Sequence, residues 1–344
     1  MIKIKKTSSL FLEKISFLIK ENKIRKIVKI LGYILTAIFL VYVGYVCYKN
    51  WESISQQARL SKNWYLIIPS ILLYLVTSYL LPLGWKQALQ AFGARVSFYD
   101  STTIYGKSQI LRYVPGNIFH FVGRSLLSKK YGFANGIILN GIFTEITAQV
   151  FVSAIIGLCS MAFLSMKNIG FLNINYYIAL FSFLFFLIAI FIILYKFSKP
   201  FREWILKNKL IVPLSTLKTK VIVLNLLMVF IIYSFYCLMN GFNLWILANN
   251  LFGISIDVIA LIIGAQAVAW IIGFITPGAP GGLGIREVVL IFILTQYLGE
   301  ARAIVLALIY RIATIIGDVL FFIATYLTQY IWESNKSKKI KKIY

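Results

Sequence analysis

The chain has 344 residues, 60% of them hydrophobic and only 13% charged, with a mean hydropathy of +0.83. Soluble domains carry about one quarter charged residues, so this composition excludes a soluble fold and predicts an all-α polytopic membrane protein. The net charge is +24, from 35 Lys+Arg against 11 Asp+Glu; in such a protein the excess belongs to cytoplasmic loops and tails, not to nucleic-acid binding.

Residues 1–26 are basic and carry one apolar stripe, Phe11, Ile15, Leu18 and Ile19. This spacing predicts an amphipathic helix on the membrane surface. The segment lacks the short apolar core and small-residue cleavage site of a secretory signal. Ile27 to Tyr48 is long and apolar enough for a first span, and Trp64 to about Phe92 for a second, with kinks expected at Pro69 and Pro82. Residues 93–130 are too polar for a simple crossing and have Pro115-Gly116 at their centre. Phe133 to about Leu164 is a third span with Glu145 inside it, and Ile174 to Phe197 a fourth. A basic stretch, 198–220, leads to a fifth, Val221 to about Asn249. Ile254 to Leu298 is apolar but broken by Gly273 to Glu287, which holds two prolines and several glycines. Glu300 to Trp332 is the last span, carrying Arg311 and Asp318. Residues 333–344 form a basic tail that can touch anionic lipid.

The two broken segments resemble each other. The first approach reads Trp85-x-x-Ala88-x-x-x-Phe92-Gly93 and the second Trp245-x-x-Ala248-x-x-x-Phe252-Gly253. Asp100 and Asp257 follow, placed as helix N-caps. Pro115-Gly116 and Pro277-Gly278 come next, and each Pro lies nine residues before an arginine, Arg124 or Arg286. Charge bias puts the basic segments inside, so the first broken segment enters from the cytoplasmic face and the second from the opposite face. The expected architecture is about seven transmembrane helices plus two re-entrant helical hairpins. These form an inverted-topology repeat, about 64–165 and 221–332, within a domain of residues 27–332 whose two termini are cytoplasmic. Inverted repeats with broken helices place a site near the bilayer midplane, where half-helix N-termini suit an anion. Gly281, Gly282 and Gly284 allow close backbone approach, and Arg124 and Arg286 supply forks that match a phosphate.

Ionisable residues at membrane depth cost about 2.5–3.5 kcal/mol each on insertion scales, so they are paired or functional. Glu145 and Arg311 occupy matching repeat positions and are expected to pair; Arg311 and Asp318 share a helix face. The three form a candidate polar path for a head group or a coupling proton, or else an ion pair that only locks the bundle. His120 is the only histidine and is read as a head-group contact or packing residue. Lys107 and Arg112 are either inside-positive charges or part of a phosphate funnel. No metal site is expected, since one histidine lacks partners at ligand spacing and Cys47, Cys159 and Cys237 form no Cys-x-x-Cys pair. No catalytic residue set, nucleotide-binding loop or cofactor motif is visible.

Tyr113-Val-Pro-Gly-Asn-Ile-Phe-His-Phe-Val-Gly-Arg124 and Thr276-Pro-Gly-Ala-Pro-Gly-Gly-Leu-Gly-Ile-Arg-Glu287 resemble the two hallmark stretches of the lysylphosphatidylglycerol synthase transmembrane region family, the flippase-like domain of the multiple peptide resistance factor. The resemblance covers roughly residues 30–332. It implies a bacterial or archaeal cytoplasmic-membrane protein that translocates a lipid between leaflets through a site built from both hairpins. Carried over by position are Pro115, Gly116 and Arg124, and Pro277, Gly278, Gly281, Gly282, Arg286 and Glu287. No aminoacyl-transferase domain follows Trp332, so the expected cargo is an anionic phospholipid or a polyprenyl-phosphate-linked lipid, and the chain is not expected to be an enzyme. Two other readings are a membrane scaffold for a glycosyltransferase or lipid synthase, and an integral-membrane lipid transferase using Glu145 or Asp318 as base.

Overall fold

The computed structural model describes residues 67–114, 118–166, 219–276 and 280–341, with a few isolated positions before them. The expected surface helix, first span, fourth span and basic stretch before residue 219 lie outside the described residues, as do Pro115, Gly116, Pro277 and Gly278. The described chain is all helical. Its helices are α1 (Ile67–Ser78), α2 (Leu80–Ala91), α3 (Phe98–Gln109), α4 (Phe119–Lys130), α5 (Asn135–Met166), α6 (Thr219–Phe252), α7 (Ile259–Ile275), α8 (Ile285–Leu298) and α9 (Glu300–Lys341). Single 3₁₀ turns occur at Ile110–Tyr113, Ile256–Val258 and Pro280–Gly282. Among the described residues five stretches are long and apolar enough to cross a membrane: Ile67–Ala91, Asn135–Ser160, Val221–Phe252, Ile256–Ile275 and Glu300–Ile331. This is an integral membrane protein.

The break between α1 and α2 falls at Tyr79, just ahead of Pro82. The proline lacks the N–H that would bond to Ser78 and crowds that carbonyl; the chain instead makes a tight turn, Tyr79 N–H to Val76 O at 3.2 Å. Pro69 produces no kink. It lies in the first turn of α1, where a helix has no internal partner for the N–H in any case.

α3 and α4 have 12 residues each and α8 has 14, roughly 18–21 Å of helix at 1.5 Å per residue. None alone spans a hydrocarbon core of about 30 Å. Each lies in a helix–break–helix unit, α3 with α4 and α7 with α8. The approaches to the two units match in detail. Gly93 and Gly253 both turn the chain with positive φ, 87° and 65°. The caps are serines, which corrects the expectation for Asp100 and Asp257. Ser97 Oγ accepts from Asp100 N–H at 3.0 Å and donates to its carboxylate, and Ser255 does the same with Asp257. The aspartates therefore sit inside the first turn, on the positive end of the helix dipole.

Two apolar cores hold the bundle together. One is drawn from α6, α7, α8 and α9, with Leu244, Ile262, Leu294 and Leu306 at its centre. The other, around Trp85, Leu89, Tyr105 and Ile138, joins α2, α3 and α5 and is closed by Tyr233 from α6 and Phe321 from α9. Within lipid there is little hydrophobic drive between helices, so close packing across small residues matters more. Gly241 of α6 is such a contact: a Cβ there would stand 2.7 Å from the Ile263 Cα of α7. Backbone cannot yield as a side chain can, so Gly241→Val is expected to cost about 1–3 kcal/mol. Thermal unfolding in detergent should show the lower midpoint.

Candidate functional site

The turns of the two helix–break–helix units meet inside the bundle. A Cβ on Gly281 would lie 3.5 Å from the Arg112 carbonyl oxygen and 3.6 Å from the Tyr113 ring. Gly281 has φ of +57°, a region open to glycine at little cost, and its carbonyl accepts from Arg311 Nη2 at 3.2 Å. The glycine thus brings one turn against the other.

Four arginines and three carboxylates converge here, and they pair in a way the sequence did not reveal. Glu145 does not pair with Arg311. It takes Arg124 as its ion partner, accepts from Tyr105 Oη at 2.7 Å and from Gln149 at 3.2 Å, and is almost fully buried. Arg311 lies instead 3.3 Å from Glu287. Asp318 lies 3.3 Å from Arg112 and accepts from Tyr113 at 2.5 Å and from Tyr74 at 3.2 Å. The physical reason is reach. Each broken unit is followed directly by a long helix, and Arg124 and Glu287 each find a partner on that helix, α5 or α9, whereas Arg112 in the first break reaches Asp318 on α9. The polarity is reversed between halves: Arg124 faces Glu145, whereas Glu287 faces Arg311.

Arg124 is fully buried. Its guanidinium lies 3.6 Å from the Tyr105 ring centre and 5.2 Å from that of Trp85, a cation–π enclosure. It lines neither polar cavity described below. Arg286 is the opposite case. None of the three ion pairs among the described residues includes it, and its Nε is buried without a hydrogen-bond partner. It stands over Trp270 at 5.9 Å, close enough to Arg112 and Arg311 to be repelled by both and to Glu287 to be attracted, though Glu287 is paired with Arg311. Room for its stem comes from two glycines: a Cβ on Gly273 would collide with Arg286 Cγ, and one on Gly282 would stand 2.7 Å from its Nε. These positions make space for the arginine itself.

Glu287 also closes the N-terminus of α8, accepting from the Gly284 N–H at 2.6 Å. Gly284 has φ of 95°. The anion at that helix end is thus the chain's own carboxylate. Lys107 lies over the Tyr326 ring at 5.5 Å, and neither polar cavity includes it.

Two polar cavities flank Arg286. One, of about 30 Å³, is walled by Tyr74, Arg112, Arg286, Glu287, Arg311 and Asp318, among others. The second, of about 40 Å³, includes Gln109, Arg112, His120, Glu145, Gln149 and Arg286. Tyr236 and Trp270 contribute to both walls. Spaces of this size hold a water or two; a head group requires the two turns to part. Glu145 and Asp318, the two acids that could have served as bases, are engaged by cations and hydroxyls. Among the described residues no three His, Cys, Asp or Glu side chains are grouped to hold a metal. Tyr74, Tyr113, Tyr236 and Trp270 are the site residues that sequence reasoning did not single out. Tyr113 lies beside the first Pro-Gly, whereas the others stand in apolar runs where nothing local marks them.

Comparison with curated proteins gives no match. The family comparison is decisive: the model of the lysylphosphatidylglycerol synthase TM region matches residues 29–321, which takes in every ion pair just described, and the chain belongs to that family.

Proposed function

We propose that the protein moves an anionic lipid, or a lipid-linked head group, between membrane leaflets through the polar space where the two broken units meet. The observation that carries this reading is Arg286, a part-buried arginine whose Nε is fully enclosed without a hydrogen-bond partner and which no ion pair among the described residues includes, set on the wall of both polar cavities. An unpaired cation in a low-dielectric interior is costly, and a phosphate oxygen would offset that cost with a charge-assisted bond. Family membership supports lipid translocation. The matched approaches, Gly93 with Gly253 and Ser97 with Ser255, support an internal repeat of about 64–165 and 221–332, with α3–α4 and α7–α8 as re-entrant hairpins from opposite faces. Both termini share the cytoplasmic face only if the full crossings are even in number. The six spans named from the sequence fit this topology better than seven.

In this scheme Arg286 and Gly281 act at the meeting point, with Gly282 and Gly284 shaping the second turn. Arg112, Arg311, Glu287 and Asp318 line the path, while Arg124 and Glu145 hold the first unit to α5. The test is a leaflet assay on purified protein in liposomes, following a labelled phospholipid and a labelled polyprenyl phosphate. Movement of either above protein-free vesicles is expected; movement of neither overturns the reading. Gly273→Ala gives a finer check. It displaces Arg286 without removing its charge, and the rate is expected to fall about ten-fold, as a misplaced charge-assisted bond of roughly 1.5 kcal/mol would require.

A further inference from the structure

We propose that Arg286 and His120 form a seat for a single negative charge, that of a phosphodiester, and that this seat discriminates against pyrophosphate-linked lipids. The inference deepens the translocation reading and rests on it for the path, but not for the binding itself.

Among the described residues the charges around the meeting turns do not balance. Arg112, Arg124, Arg286 and Arg311 stand against Glu145, Glu287 and Asp318, and the three carboxylates are each taken by one arginine. One positive charge is left over, on Arg286. A ligand with one negative charge brings the buried set to neutrality. A ligand with two or three leaves net negative charge beside three carboxylates, in a medium where such repulsion is poorly screened. Breaking an existing ion pair to free a second arginine only exposes another buried acid.

The second observation is independent of Arg286. His120 is over nine-tenths buried, and its Nδ1 has no hydrogen-bond partner among the described residues. It shares the larger cavity with Arg286 and lies close enough to feel its field. A buried imidazole nitrogen without a partner is unusual. As the N–H tautomer, Nδ1 can donate one hydrogen bond to a phosphate oxygen without adding charge. Arg286 thus supplies the charge and His120 a neutral donor. The two residues come from different broken units, α4 and α8, so each unit supplies one half of the seat, and the head group enters it as the two turns part.

Trp270 beneath Arg286 provides an optical reporter. The experiment is equilibrium binding to the full-length protein in detergent, read by tryptophan fluorescence and by calorimetry. The probes share dihexanoyl tails: phosphatidylglycerol, with one charge, and diacylglycerol pyrophosphate, with two or more. Phosphatidylglycerol is expected to bind at least about ten-fold tighter. Arg286→Gln should abolish that preference and Arg286→Lys should keep it. His120→Ala should weaken phosphatidylglycerol several-fold while leaving its advantage over pyrophosphate in place. Dimethyl phosphate separates the two sources of this chemistry. Weaker binding than the lipid assigns the seat to a lipid, and equal binding assigns it to a free phosphodiester. Equal or tighter binding of the pyrophosphate lipid overturns the proposal, as does unchanged phosphatidylglycerol binding in Arg286→Gln. Because binding is read without translocation, failure here leaves the leaflet assay as a separate test of the transport reading.

Discussion

Arg286→Met is expected to stop lipid movement and, at the same time, to make the protein more stable. These outcomes have one cause. Arg286 is part-buried beside Arg112 and Arg311, its Nε enclosed without a hydrogen-bond partner, and the nearby Glu287 is already paired with Arg311, so the folded state bears a positive charge with no ion-pair partner among the described residues. Replacing buried charge with an apolar side chain of similar volume is often stabilising by about 1–4 kcal/mol. Methionine adapts to the channel between Gly273 and Gly282 because it is unbranched and flexible. Loss of the guanidinium removes a charge-assisted bond to the ligand, worth about 1.5–3 kcal/mol, or roughly ten- to a hundred-fold in affinity. The measurements are the thermal midpoint in detergent and the leaflet rate in liposomes. A residue kept for function against stability gives a higher midpoint and a lower rate. A lower midpoint with an unchanged rate would show that Arg286 is only a packing residue.

Glu145→Gln is expected to behave in the reverse manner, destabilising the fold first. The change leaves Arg124 in a closed aromatic box without its counter-ion and removes the charged acceptor for Tyr105. Breaking one side of a buried ion pair costs about 3–5 kcal/mol, a large share of the stability of an ordinary domain. Arg124→Met should cost a similar amount, by stranding Glu145. Replacing both residues with methionine should recover most of the loss, because neither partner is then left alone. A double-mutant cycle on thermal midpoints reads this coupling directly. If the pair served as the ligand seat, the double variant would regain stability and still lose binding of a phosphodiester lipid. On this geometry it should regain stability and keep the charge balance of the set; Arg124 lines neither cavity, so any change in binding comes from Glu145, which borders the larger one.

The contrast between these two arginines marks the boundary between sequence and tertiary structure. Each stands nine residues after a proline in a glycine-containing break, and from the sequence they are equivalent. In the fold, Arg124 has Glu145 within reach on the next helix. On the proposed repeat the residue that corresponds to Glu145 is Arg311, which carries the same sign of charge as Arg286. The glutamate adjacent to Arg286 in sequence takes Arg311 instead, so Arg286 is left over. No local pattern could have shown that, because the pairing depends on which side chains of different helices come to face one another.

What the sequence determined by itself was the membrane class, the two broken units and the matched approaches to them. These follow from hydropathy over about 20 residues and from proline and glycine chemistry, both of which act locally. It also singled out the charged residues that meet at the two turns, though not their pairing. Tertiary structure decided three things: the partners of Glu145, Arg311 and Asp318, the contribution of Tyr74, Tyr236 and Trp270, and the solitary position of Arg286. All three depend on contacts between residues far apart in the chain, such as Tyr74 with Asp318. Local propensity carries no record of these, because burial and charge pairing are settled only when the helices pack.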